Sequence, residues 1–140
     1  MMCPELVTLT KILKCSVEAA LCKPLLSSLP PEAKPLADDK MHITLVHQMF
    51  TNGISQNLGF PQPPPIMLGT KIHKISRDKR TSWIVLLSNQ GEWRRYVNTV
   101  CYIHGLPPGP EPYRVYHVSI ANLTGSPYDS VGDVDVSDLA

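Results

Sequence analysis

Two short segments of this chain share one residue pattern, and that pattern constrains how the backbone runs through both. The first is His42-Ile43-Thr44-Leu45 and the second is His117-Val118-Ser119-Ile120. In a strand, successive side chains point to opposite faces, so each histidine shares a face with the hydroxyl residue two positions later. The apolar residues of each segment share the other face. Each segment therefore predicts a half-buried strand that presents an imidazole beside a hydroxyl.

The repetition of this pattern favours one site that contains both histidines. Histidine suits both directions of proton transfer because its unperturbed pKa lies near neutrality. Two histidines in one site can act as general base and general acid, and Thr44 and Ser119 would add two hydroxyl donors to the same site. The sequence leaves open whether His42 or His117 is the base. A single such segment would more often be structural, and a domain with coincidental motifs would place its histidines far apart.

Length and composition favour one globular domain that spans residues 1–140. Hydrophobic residues make up 43% of the chain, enough for a core without a disulfide or metal. The formal net charge of +1 does not indicate a polybasic nucleic-acid or membrane binder. A small anionic ligand needs only local donors and remains compatible with this charge.

The cysteines indicate a reducing compartment. Cys3, Cys15, Cys22 and Cys101 lack the C-x-x-C spacing of metal or redox sites, which favours buried free thiols. The chain also has no signal-peptide pattern and no apolar run of membrane-spanning length. We therefore expect a soluble cytoplasmic protein with no membrane association, and nothing in the sequence implies a stable protein partner.

The first half of the chain predicts a helix over about residues 15–28, with Ser16 as its N-cap. Residues 5–13 are equally compatible with a helix and with a strand. Residues 30–40 read as a linker, and residues 41–47 as the first motif strand. Proline-rich stretches such as 61–65 act as stiff connectors.

The second half predicts a hairpin, a helix and the second motif strand. Strands over residues 66–75 and 81–87 flank a polar turn. Asn89 and Glu92 have capping-box spacing, and Gly105 can end the helix in the left-handed conformation. The apolar face of this helix comprises Trp93, Tyr96, Val97, Val100, Ile103 and His104. The second motif strand covers residues 113–121, and the acidic residues from Asp129 onwards indicate a short strand or a solvated tail.

With each His-x-(Thr/Ser)-x motif on a strand, and a strand–helix stretch between them, residues 15–125 resemble the 2H phosphoesterase superfamily. The resemblance implies an α+β fold with two pseudo-symmetric lobes, in which two antiparallel sheets surround a central cleft and the helices lie outside. It implies that His42 and His117 are catalytic, that Thr44 and Ser119 bind phosphate, and that no metal or other cofactor is required.

The superfamily includes RNA 2′,3′-cyclic phosphodiesterases, 2′,5′-oligoadenylate phosphodiesterases and small phage enzymes that cleave the cyclic oligonucleotide signals of bacterial immunity. Many RNA-processing members have proline before the second histidine and arginine shortly after the motif. This chain has Tyr116 before His117, and Ala121-Asn122 after the motif. Its flanks thus depart from the tRNA-ligase-like branch, and its small size is similar to that of the phage members.

The resemblance therefore predicts a metal-independent phosphodiesterase that acts on a cyclic nucleotide, a cyclic oligonucleotide or an RNA 2′,3′-cyclic phosphate. Tyr116, next to His117, is the best candidate to stack on a substrate base. The alternative function is a non-catalytic module that sequesters a signalling nucleotide. Such a module would keep the hydroxyls and aromatic side chains but would not need both histidines.

Overall fold

A computed structural model describes residues 5–7, 12–46, 60–106, 114–132 and 134–139 of the chain. Cys3, residues 51–59 of the proline-containing loop predicted over 51–65, and the whole connector over 107–112 lie outside these residues. The described elements are β1 (Glu5–Val7), β2 (Ile12–Ser16), α1 (Ala19–Leu26), β3 (Lys34–Pro35), β4 (His42–Val46), β5 (Leu68–Arg77), β6 (Arg80–Leu87), α2 (Gln90–Ile103) and β7 (His117–Asn122).

The strands form one sheet in the order β1-β2-β4-β7-β6-β5, and β3 pairs with β7 beside this path. Every pairing between these strands is antiparallel. The α+β class predicted from the sequence is therefore confirmed. The sheet count differs from the prediction, because β4 and β7 pair directly and join into one sheet the strands that were expected to form two.

This junction is narrow. β4 and β7 share one registered pair, Ile43 opposite Val118. By contrast, β6 and β7 are paired along five positions, from Ser82 opposite Asn122 to Leu86 opposite His117. Apart from β3, which pairs with β7 at Lys34 and Pro35, the sheet consists of two halves, β1-β2-β4 and β7-β6-β5, that meet where the two motifs lie.

The N-terminal region differs from the sequence prediction. Ser16 ends β2 instead of capping a helix, and α1 begins three residues later without a side-chain cap at Glu18. The reason is a two-residue period that extends back from the helix: Leu13, Cys15 and Val17 are all buried. Residues 5–7 and 12–13, which the sequence left undecided, belong to strands.

Helix α2 lies close to its predicted position. Its buried face comprises Trp93, Tyr96, Val97, Val100 and Cys101. Ile103 was predicted on this face but is 41% exposed, because it lies in the last turn of the helix. The capping box is absent: Asn89 makes no cap hydrogen bond and its amide donates to Pro65 O at 2.9 Å. Gly105 has φ +69°, as the predicted left-handed end requires.

The two faces of the sheet are covered differently. The main core lies under one face and includes α2 and Cys22 of α1. A smaller cluster on the other face contains Ile84 of β6 and, from the C-terminal segment, Val131 and Val134. That segment was predicted to be a short strand or solvated tail, but it packs against the sheet, and its Asp138 forms an ion pair with Arg77 at 3.2 Å.

The thiol prediction is confirmed for the three cysteines that the structure describes. Cys15, Cys22 and Cys101 are all buried, and none of the three forms a disulfide. Burial raises the pKa of the Cys22 and Cys101 thiols, which keeps them neutral and unreactive near neutral pH. Among the described helices, none is long and apolar enough to cross a membrane.

Candidate active site

The two motif strands are direct neighbours, with Ile43 opposite Val118 in an antiparallel pair. Side chains that stand opposite each other in such a pair point to the same face of the sheet. One residue to either side of this pair, each histidine therefore lies opposite the hydroxyl residue of the other motif. These four residues, here called the motif block, are His42 opposite Ser119 and Thr44 opposite His117.

The motif block is compact. Opposite residues in an antiparallel pair have Cβ atoms about 4.5–5.5 Å apart, and diagonal ones about 7–8 Å. His42 and His117 stand on such a diagonal, and Thr44 and Ser119 occupy the other. The two histidines lie on neighbouring strands, whereas coincidental motifs would be expected to place them far apart.

The opposite face of the same strands is apolar and closed. Ile43, Leu45, Val118 and Ile120 are all fully buried in the main core. This packing fixes the strand register, since a slip of one residue would turn all four side chains to the other face. The core thus holds the motif block in position.

Both histidine rings are oriented by the same backbone contact. Nδ1 of His42 lies 2.9 Å from the carbonyl oxygen of Lys40, and Nδ1 of His117 lies 3.2 Å from that of Val115. A carbonyl oxygen can only accept a hydrogen bond, so Nδ1 carries the proton and donates in each ring. In the neutral form of each ring, Nε2 then holds the lone pair that a general base uses. The sequence gives no indication of this shared contact.

The four residues differ in exposure. His117 is only 9% exposed, whereas His42, Thr44 and Ser119 are half-buried. A ligand of the motif block would therefore contact a surface that is partly open above β4 and more enclosed at His117.

The sequence analysis missed two residues of this surface. In the pairing of β2 with β4, Lys14 stands opposite Thr44 and Ser16 stands opposite His42. Both side chains are half-buried and share the face of the motif block. The signal was present in the alternation of apolar Leu13 and Cys15 with these polar residues, but the helix prediction concealed it.

Arg114 was also missed. It is 5% exposed, and its guanidinium donates to the carbonyl oxygens of Leu45, at 2.7 Å, and Thr44. The same group lies over the ring of Tyr116, 5.2 Å from its centroid. Arg114 therefore ties the segment before the second motif to the strand of the first motif. No sequence rule identifies a buried arginine that binds backbone carbonyls.

Tyr116 does not belong to the motif face. Its side chain is 2% exposed and packs in the main core with Val118, on the face away from His117. Burial raises the pKa of its phenol, and the nearby Arg114 opposes part of that rise. This position does not support the base-stacking role predicted from the sequence, because a buried ring cannot receive a substrate base.

Gln90, the first residue of α2, fixes the backbone just before His117. Its side-chain amide donates to Tyr116 O at 2.6 Å and accepts from Tyr116 N at 2.8 Å. The side chain therefore pairs with Tyr116 as a neighbouring strand would. This contact positions the start of β7.

One groove described by the structure lies away from the motif block. A groove of about 400 Å³ runs between the proline segment 62–66 and Cys15, Glu18 and Leu21, and no motif residue lines it. Within the described parts of the chain, no three His, Cys, Asp or Glu side chains cluster so that they could hold a metal ion.

Comparisons with protein-family models, with curated protein sequences and with solved structures find no match to this chain. The arrangement of the motif block and its surroundings is therefore the basis for a functional proposal.

Proposed function

We propose that this chain is a phosphodiesterase of the 2H type, in which His42 and His117 act as general base and general acid. Thr44 and Ser119 would donate hydrogen bonds to the non-bridging oxygens of the phosphate. The observation that carries the proposal is the motif block itself, in which both histidines stand on one face and both donate Nδ1–H to the carbonyl two residues earlier.

The chemistry uses both Nε2 atoms. One neutral ring accepts the proton of the attacking hydroxyl as the new O–P bond forms, and one protonated ring donates to the leaving oxygen as the old bond breaks. Attack by water on a cyclic phosphate yields a monoester. Attack by a ribose 2′-hydroxyl on the adjacent phosphodiester yields a 2′,3′-cyclic phosphate and a free 5′-hydroxyl.

The diagonal arrangement suits this reaction. Histidines with Cβ atoms about 7–8 Å apart leave room for a phosphate between the two rings, with one ring on each side of phosphorus. The hydroxyls on the other diagonal would lie against the remaining oxygens, where the negative charge is spread in the transition state. The proposal assigns all of these tasks to side chains of the chain, so it predicts activity in the presence of a chelator.

The two halves of the sheet support a bilobal arrangement of the 2H type. One half contains β4 with the first motif, the other contains β7 with the second, and the halves share a single registered pair. Each half also has one described helix, α1 or α2, close to it in sequence. We extend the proposal to a cytoplasmic enzyme whose substrate is a cyclic oligonucleotide, like that of the small phage members of the superfamily.

The test is a substrate panel in chelator, with cyclic oligonucleotides, cyclic mononucleotides and RNA ending in a 2′,3′-cyclic phosphate. We expect turnover of at least one substrate, with a loss on the order of 10²–10⁴-fold in His42→Ala and in His117→Ala. His73→Ala is the matched control, because His73 is a half-buried strand histidine on β5, outside the motif block.

Folding of each variant is checked by its denaturant midpoint. Unchanged activity in both motif variants would refute the site. Tight binding of a cyclic oligonucleotide that is recovered intact from the wild-type protein would instead support the sequestering module.

A further inference from the structure

Of the two described strands that flank the motif block, β2 places polar residues beside it and β6 places apolar ones. Towards β6, the neighbour of His117 is Leu86 and the neighbour of Ser119 is Ile84. Ile84 is fully buried in the smaller apolar cluster, and Leu86 packs against that cluster. Neither side chain can bind a charged group, so the positions next to the motif block on β6 offer no partner for a second charge of a ligand.

Towards β2, the neighbours are Lys14, opposite Thr44, and Ser16, opposite His42. Neighbouring strands are about 4.8 Å apart, so the backbone of Lys14 lies about 10 Å from that of His117, across β4. Its ammonium group is a compact cation on a flexible stem, with three donors. A cation therefore stands on the motif face, one strand beyond the motif block.

We infer that Lys14 binds a second phosphate of the substrate, next to the one held by the motif block. The substrate would then carry at least two phosphates, as a linear or cyclic oligonucleotide does, and a mononucleoside cyclic phosphate would leave this part of the site unused. Two hydroxyls and two imidazoles already surround the reacting phosphate in the proposed function, on which this inference rests. Lys14 stands outside that set, on the flanking strand that, of β2 and β6, places polar residues beside the motif block.

The experiment measures binding to His117→Ala protein, in which turnover is expected to be slower on the order of 10²–10⁴-fold. The two probes are a 3′,5′-linked cyclic triadenylate and adenosine 2′,3′-cyclic phosphate. Lys14→Met in this background keeps most of the stem and removes the charge. Lys23→Met is the control, since Lys23 is an exposed lysine of α1, the helix that packs on the main core.

We expect Lys14→Met to weaken cyclic triadenylate about tenfold or more, because it removes a hydrogen bond between charged groups. The slope of log Kd against log salt should fall by about 0.7, the value for one phosphate contact in a single strand. Adenosine 2′,3′-cyclic phosphate should bind within twofold of the parent protein. Lys14→Arg should restore most of the affinity, and Lys23→Met should change neither ligand.

An equal loss for both probes would overturn the inference, because Lys14 would then serve the reacting phosphate. Unchanged affinity for both probes would also overturn the inference, because Lys14 would then have a structural role only. Both results are compatible with turnover by the wild-type protein. If the wild-type protein neither binds nor cleaves any member of the substrate panel, the proposed function itself fails.

Discussion

The segments that lead into the two motif strands are supported very differently. Before β7, the backbone is fixed from three directions: Gln90 pairs with Tyr116, Val115 N donates to Val134 O at 2.9 Å, and Arg114 reaches across to β4. Before β4, the chain runs through a short 3-10 helix, Asp38–Lys40, whose residues are all exposed. Between that helix and His42 only Met41 is buried, and its carbonyl accepts from Val17 N at 3.0 Å.

The two histidines nevertheless make the same ring contact. The carbonyl that accepts from His117 belongs to Val115, which is buried in the smaller cluster, whereas the one that accepts from His42 belongs to exposed Lys40. The two histidine rings therefore make the same hydrogen bond, but the residue that supplies the accepting carbonyl is buried before His117 and exposed before His42. Substitutions in the segment before the second motif should therefore affect stability as well as activity, whereas substitutions of the exposed residues Asp38–Lys40 before the first motif should leave stability almost unchanged.

Among the tests of this comparison, removal of either motif hydroxyl should have the largest effect on activity. Thr44→Val and Ser119→Ala should each lower kcat about 10²–10³-fold, because each removes one hydrogen-bond donor to the charge that develops on the phosphate. Steady-state kinetics on the best panel substrate measure this loss. Thr70→Val is the control, since Thr70 is exposed on β5. A large loss for one hydroxyl and none for the other would break the equivalence of the motifs.

Arg114 should give the largest loss of stability. Arg114→Met leaves the buried carbonyl of Leu45 and that of Thr44 without their donor, and each such group costs about 1–3 kcal/mol, so we expect a fall of about 2–5 kcal/mol in the free energy of unfolding. Urea unfolding measures it. Arg114→Lys should recover only part of the loss, because an ammonium group lacks the planar fork that reaches two carbonyls. Arg95→Met, on the exposed face of α2, should stay within about 0.5 kcal/mol of wild type.

The two lead-in segments can be compared directly. Gln90→Ala removes both hydrogen bonds to Tyr116 and should cost about 1–3 kcal/mol in the free energy of unfolding. Asp38→Ala, in the exposed segment before β4, should cost no more than about 0.5 kcal/mol. Both are measured by urea unfolding under the same conditions. Equal costs would contradict the inequality of the two supports.

Local patterns predicted the motif strands, the hairpin and α2, because each has a clear two-residue or helical period over its own length. The hairpin turn is an example: Asp78 and Lys79 both have positive φ, as a two-residue turn between twisted strands requires. Alternation alone placed each histidine on the same face as the hydroxyl of its motif, and both motifs do lie in strands.

The rest depended on contacts between distant segments. Nothing local states that β4 pairs with β7, and that pairing is what brings the two motifs together and joins the two halves into one sheet. Arg114 is a polar residue whose burial is explained only by carbonyls about seventy positions earlier in the chain. The capping preference of Ser16 predicts a helix, but it carries no information on the pairing of β2 with β4 that places Ser16 in a strand.

Tyr116 gives the smallest expected effect, and it tests whether water reaches the segment before His117. Burial raises the pKa of its phenol in the folded protein, so at high pH the unfolded chain ionises first and the folded state loses relative stability. The stabilisation is complete below the ordinary tyrosine pKa of about 10 and declines as pH rises towards the raised value. The free energy of unfolding of wild type should therefore fall more steeply between pH 9 and 11 than that of Tyr116→Phe.

Urea unfolding of both proteins across this range measures the difference between the two slopes. Cys22 and Cys101 have raised pKa values of the same sign, but both proteins contain them, so their contribution cancels in the comparison. Tyr128→Phe is the control, because that tyrosine is 65% exposed. Parallel curves for wild type and Tyr116→Phe would mean that water reaches the phenol in solution. In that case the segment before His117 would be as accessible to water as the one before His42. The two segments would then no longer differ in how firmly they are held.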